Sequence, residues 1–344
     1  MTTTRYIAVV PGDLAGQEVI PEARAVLEHL GLDYAYEEFE VGAAPVLRGE
    51  PAMSDQTFKE VSEADAILFG AIGDPRVPDV GYAAHVLLKL RFELDLFVNL
   101  RPARLYAPRL SPLKDPERGK VDLLVVRENT EGAYIGMGGR FRRGTEAEVA
   151  IQEDLNTYAG ITRIIEYAFT RTQKRLTMVD KSNALAFAGG LWQDRWHALR
   201  AQHPQIETRH LYADAAAMEL VRDPSQFEVI VTGNLFGDLL SDLTAALIGG
   251  MGIAPSANIN PETGRGLFEP IHGSAPNLAG HGIVNPIGAI LTAGMLAEHL
   301  GDAEAAAAIE RAVAGAIAAG ETTRDLGGAL TTKEAGAAIR RRLE

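Results

Sequence analysis

Asp238 and Asp242 stand four residues apart in the run GNLFGDLLSDL, residues 233–243, so a helix there puts both carboxylates on one face, where they repel each other. One reading is a first helical turn whose acids complement the helix dipole. The other is a cation site. The two glycines at a strand exit favour the second reading, because glycine there lets backbone come close to something. Oxygen donors unaccompanied by histidine or cysteine select Mg2+ or Mn2+ over zinc.

Such an ion would serve a small anionic acid. The chain carries a formal charge of −13, so a site for an anion must concentrate positive charge locally. Arg91 ends the run LLKLR, Arg101 lies in NLRP and Arg127 opens REN. If they converge they make a bidentate carboxylate site, and if not they are separate surface arginines. Spacing alone leaves both open. Lys181, in VDKSN, sits just past an apolar run. Lysine is ordinarily a solvated surface residue, but beside a metal and arginines its pKa would fall, making a neutral amine available as a base. The stretch FEPIHGSAPNLAGHGIVNP, residues 268–286, has no periodicity and offers backbone groups rather than bulk. An aperiodic loop of that length usually binds something.

The elements that must carry these groups follow from hydrophobic pattern. Ile7–Val10, Ala66–Phe69, Leu123–Val126, Leu176–Val179 and Val229–Thr232 read as buried strands. Val19–Leu30 and residues around 83–92, 157–171, 190–200, 214–222, 236–248 and 286–300 read as helices, as does the alanine-rich Ala303–Ala319. Strands alternating with helices of this length indicate a largely parallel sheet covered by helices. Thr331 and Glu334 have capping-box spacing at the start of a last helix. The glycine- and arginine-rich text after Tyr134 is too polar for core and suits a projecting hairpin.

Composition removes other chemistries. The 344 residues, 47% hydrophobic and 23% charged, suit a soluble globular chain of two domains or one large α/β unit. The acidic balance argues against nucleic acid and anionic membrane surfaces as partners. There is no cysteine, which excludes disulfides, thiol nucleophiles and thiolate metal sites. The start of the sequence lacks the pattern of a secretory signal, and no run approaches the ~18 apolar residues of a membrane span. A cytoplasmic location is the default expectation. No G-x-G-x-x-G follows a strand, so the ordinary Rossmann fingerprint is missing.

Together these motifs resemble the β-decarboxylating dehydrogenase family, which includes isopropylmalate, isocitrate, homoisocitrate and D-malate/tartrate dehydrogenases. GNLFGDLLSDL, FEPIHGSAPN and RENTEG followed by Tyr134 carry the likeness, which runs over nearly the whole chain. It implies a two-domain α/β fold with a central, largely parallel mixed sheet and no ordinary Rossmann domain. The cofactor domain would be residues 1–98 plus 250–344. Residues 99–249 would form the substrate and dimerisation domain, with an arm over about 134–150.

The resemblance also implies roles. Asp238 and Asp242 would hold Mg2+ or Mn2+ with Asp214 of the partner subunit, in a homodimer with shared sites. Arg91, Arg101 and Arg127 would bind substrate carboxylates, Lys181 of the partner subunit would be the base, and Tyr134 the acid. His272, Gly273, Ser274, Ala275, Asn277 and Asn285 would hold the adenosine of NAD, with Asn183 near its nicotinamide. The implied reaction is oxidative decarboxylation of a 2-hydroxy dicarboxylic acid. Leu87 and Leu88 suit an apolar substituent, so 3-isopropylmalate, oxidised to 2-oxo-4-methylpentanoate in leucine biosynthesis, is the favoured substrate. D-malate or tartrate is the runner-up, and a non-catalytic regulatory chain a further rival. Three positions depart from the family pattern: Leu14 replaces a glycine in PGDLAG, Ala84 replaces a glutamate that touches the nicotinamide ribose, and Asn277 replaces the acid that selects NAD.

Overall fold

The computed structural model describes residues 4–79, 81–115 and 120–343. Its chain divides into two units, one of Met1–Leu96, Arg104–Glu117 and Ala245–Glu344, the other of Phe97–Ala103 and Arg118–Thr244. In chain order the first unit opens with β1 (Arg5–Gly12), α1 (Ala15–His29), β2 (Tyr34–Glu38), α2 (Ala43–Leu47), α3 (Asp55–Ser62), β3 (Ala66–Ala71) and α4 (Gly81–Glu93). The second holds β4 (Val98–Arg104), β5 (Asp122–Glu128), β6 (Gly138–Phe141), β7 (Val149–Gln152), α5 (Tyr158–Arg171) and β8 (Arg175–Asp180). It continues through α6 (Ala186–Arg200), β9 (Glu207–Tyr212), α7 (Ala213–Arg222), β10 (Val229–Thr232) and α8 (Asn234–Ile248). The first unit resumes with β11 (Pro255–Asn260), β12 (Arg265–Pro270), α9 (Ile287–His299), α10 (Ala303–Ala318) and α11 (Thr332–Arg340).

In the first unit the strands run β2-β1-β3-β12-β11. β1 pairs in parallel with β2 and β3, and β12 with β3, while β11 and β12 are antiparallel, so the sheet is mixed. Ile7–Val10 is fully buried, as expected for a strand covered on both faces. α9 is buried nearly all round, which its apolar sequence requires. The second unit has the order β4-β5-β10-β8-β9, with parallel pairing of β10 to β5 and β8, and of β8 to β9. β6 and β7 form a separate antiparallel hairpin, exposed along its length, in the glycine- and arginine-rich text after Tyr134.

Thr331 and Glu334 form the reciprocal capping box of α11. β11 was not expected, because its text PSANIN is polar. The strand forms because its buried amides find partners: Asn258 donates to the Leu267 carbonyl at 3.2 Å and to Glu269 at 2.9 Å, and Asn260 to the Asp95 carbonyl at 2.9 Å. Among the described residues, no helix is long and apolar enough to cross a membrane.

Candidate active site

In the second unit, β4 and β5 deliver Arg101 and Arg127 to one face of α8. Arg127 donates to Asp238 at 2.6 Å, and Arg101 lies 3.3 Å from Asp238 and 3.5 Å from Asp242. Arg101 also donates to the Ser241 hydroxyl at 2.7 Å. Tyr134, in the 3-10 turn Ala133–Ile135, donates its hydroxyl to Asp238 at 3.1 Å. Both arginines are buried, whereas Asp238 and Asp242 keep 33% and 53% of their side chains exposed. The positive groups thus form the floor and the carboxylates face solvent, where an ion or an anion can reach them.

This arrangement excludes the helix-dipole reading of the aspartate pair. α8 begins at Asn234, so Asp238 falls beyond its first turn. Of the two glycines, only Gly237 makes a close approach. A Cβ there would lie 2.5 Å from Cγ of Arg127, whereas at Gly233 the nearest atom would be 3.6 Å away in Trp192. The glycine inside the helix is what lets the arginine stem lie flat against it.

Burial raises the pKa of Asp242, and Asp238 raises it further against the opposing pull of Arg101. The pair therefore sits where additional positive charge is favourable, which fits a divalent cation held by hard oxygen donors. Burial also raises Tyr134, with Asp238 adding to the effect, so its hydroxyl keeps its proton at neutral pH.

Lys181 and Asp214 of the same unit follow the ends of β8 and β9. Lys181 Nζ donates to Asp214 at 2.5 Å and stands 5.9 Å from the Tyr212 ring centroid. Lys181 holds the Asp214 carboxyl below the usual aspartate range. Behind them, buried Asp180 accepts from Gln193 and His210, each at 2.8 Å. Lys181 lines a cavity of about 210 Å³ with Asp154, Trp192 and Asn234. Among the described residues of this one chain, no three histidine or carboxylate side chains gather closely enough to hold a metal. Asn183 is exposed on the turn after Lys181.

Within the first unit, α4 carries Leu87, Leu88 and Arg91. Arg91 is buried and donates to Glu269 at 2.8 Å, with its Nε left unpartnered. Leu87 packs against the core and Leu88 is half-buried. In the loop after β12, His272 Nδ1 lies 3.0 Å from the Gly273 carbonyl, which can only accept. Burial lowers the His272 pKa, so the ring is neutral with its proton on Nδ1, and its buried Nε2 lone pair has no partner among the described residues. Ser274 accepts from the Ala15 amide at 3.0 Å, Ala275 has φ +43°, Asn277 is exposed, and Asn285 donates to Asp325 at 2.9 Å.

Asp13 has no role in the sequence reading above. Its buried carboxylate accepts from the amides of Ala43 at 2.7 Å and Gly73 at 2.8 Å, and from the Tyr82 hydroxyl at 2.8 Å. A signal was present: an aspartate just past a buried strand, directly after Gly12.

Two units of parallel-rich α/β structure thus carry an arginine-floored carboxylate pair at a helix. The chain belongs to the isocitrate/isopropylmalate dehydrogenase family, whose model matches residues 6–339. It is 45% identical to the 3-isopropylmalate dehydrogenase of Corynebacterium kroppenstedtii over 347 residues, 98% of this chain and 99% of that one. Identity to the 3-isopropylmalate dehydrogenase of Thermobifida fusca is also 45%, over 90% of each. Among solved structures, isocitrate dehydrogenase from Methylococcus capsulatus superposes with a TM-score of 0.91 at 35% identity, covering 98% of this chain and 99% of that one.

Proposed function

We propose that this enzyme oxidises and decarboxylates 3-isopropylmalate to 2-oxo-4-methylpentanoate, using NAD and Mg2+ or Mn2+. The observation that carries the reading is the set of Arg101, Arg127 and Tyr134 converging on Asp238 beside Asp242. The names of the relatives, with the apolar Leu87 and Leu88 on α4, supply the substrate class.

Asp238 and Asp242 would hold the metal, and the neutral loop around His272 would hold the adenosine, where the orphaned Nε2 lone pair suits an amino-group donor. When bound, the metal supplies Lewis acidity toward the substrate's oxygens and NAD accepts a hydride. Arg101 and Arg127, already desolvated, hold substrate carboxylates and fix the orientation of the departing one. Lys181 takes the hydroxyl proton, and Tyr134, protonated at neutral pH, returns a proton to carbon after CO2 leaves.

Among the described residues of one chain Asp214 forms no three-carboxylate cluster with Asp238 and Asp242, so we propose that Asp214 and its partner Lys181 complete the site of a second copy of the chain. Large apolar side chains exposed on α6, α7 and α8, among them Phe187 at 96%, Met218 at 62% and Leu239 at 60%, support a homodimer. The test is NADH production with Mn2+ present, comparing 3-isopropylmalate, D-malate, tartrate and isocitrate. The highest kcat/KM is expected for 3-isopropylmalate. Turnover of none of them would sink the reading, and a higher kcat/KM for D-malate would reassign the substrate.

A further inference from the structure

Among the acceptors that Arg127 meets, two differ in charge. Its Nη1 donates to Asp238, while Nε and Nη2 donate at 3.1 and 2.6 Å to a single oxygen, Oδ1 of Asn234. Asn234 is itself 3% exposed, and its amide nitrogen donates to the Glu131 carbonyl at 2.8 Å. That bond fixes which end of the amide faces the arginine, because the reversed orientation would set NH2 against guanidinium and oxygen against oxygen. The guanidinium is planar, so holding one edge and packing the stem on Gly237 determines where its remaining donors point.

We propose that Asn234 is a positioning residue that holds the Arg127 plane in register for a substrate carboxylate while leaving the guanidinium its charge. A carboxylate at 234 could accept the same two bonds. It would also neutralise an arginine already facing Asp238, and so remove its attraction for an incoming anion. A neutral amide orients without that cancellation. The proposal rests on Arg127 being a substrate arginine.

Asn234→Asp adds a charge and also sets an oxygen against the Glu131 carbonyl, so its Tm is read beside its KM. It should raise KM for 3-isopropylmalate by about tenfold or more, with KM for NAD within about twofold. Asn234→Ser, a neutral variant that loses the orienting contacts, should raise the same KM by a smaller factor. In an Arg127→Lys background, where the fork is gone, Asn234→Ser should change that KM by less than about twofold. A lowered Tm with substrate KM unmoved in both single variants would mean a merely structural amide and overturn the proposal. So would full additivity with Arg127→Lys. If the wild type turns over no acid, the assigned reaction fails. Calorimetric titration of D-malate with Mn2+ then reads the same contrast: equal affinity for wild type and Asn234→Asp overturns the positioning role.

Discussion

The hydroxyl of Tyr82, near the start of α4, donates across 2.8 Å to the buried carboxylate of Asp13, just past β1. One bond thus ties the helix bearing Leu87, Leu88 and Arg91 to the loop bearing Leu14. The same carboxylate receives the Ala43 and Gly73 amides, so it organises three segments at once. Burial, with Asp13 as second cause, raises the Tyr82 pKa, keeping the phenol a donor.

Tyr82→Phe removes that donor and leaves a buried carboxylate oxygen short of a partner. The cost should be about 1–3 kcal/mol, read as a lower urea midpoint with an unchanged m-value. Unchanged stability would mean that the carboxylate is satisfied without the tyrosine.

Leu14 occupies φ +50° and ψ −111°, a region that favours glycine. Leu14→Gly and Leu14→Ala both discard the half-buried side chain, but only glycine relieves the backbone. The glycine variant should therefore be the more stable of the two by about 1–3 kcal/mol in thermal denaturation. Equal stabilities would show that the loop relaxes freely around leucine.

Gly237→Ala places a methyl 2.5 Å from Cγ of an arginine stem that is only 2% exposed. Neither the buried stem nor the helix can give way cheaply. The variant should lose about 1–3 kcal/mol of stability and fall by about two orders of magnitude in kcat/KM. Loss of stability alone, with kcat/KM preserved, would show that Arg127 need not lie flat on α8.

Much of this was legible in the residues, for particular reasons. Ile7–Val10 and Val229–Thr232 are buried on both faces, so their apolar runs announce the strands. Residue type announced the carboxylates that Arg101 and Arg127 meet, and Gly237 marked the close approach. β11 did not announce itself, because Asn258 and Asn260 are buried by virtue of partners on β12 and, far back in the chain, at Asp95. The pairing of Lys181 with Asp214 depends on β8 and β9 being neighbours, which periodicity does not encode.

Asp242 has a folded-state pKa above its ordinary value, from burial first and Asp238 after it. Such a group binds its proton more readily when folded. Its contribution favours the folded state below the unfolded pKa and is lost as pH rises past the folded one. At neutral pH, without metal, the ionised carboxylate works against folding. Asp242→Asn should therefore raise Tm at pH 7 in EDTA, with the difference shrinking toward pH ~4. Mn2+ should stabilise the wild type much more than the variant, and the variant should be inactive. A lower Tm at pH 7 would show that the attraction of Arg101 outweighs burial.

If Lys181 and Asp214 serve the site of a second copy, two inactive variants should repair each other. Lys181→Met leaves its own Asp238 intact, and Asp238→Asn leaves its own Lys181 intact. In a mixed dimer, one site combines both intact residues and the other combines both losses. Random reassortment of equal amounts gives half mixed dimers, so activity should recover to about a quarter of wild type. The recovery must need subunit exchange, brought about by partial denaturation and refolding of the mixture. Variants that refold together as dimers yet stay inactive would place Lys181 and Asp238 in one chain's site and overturn the shared-site reading.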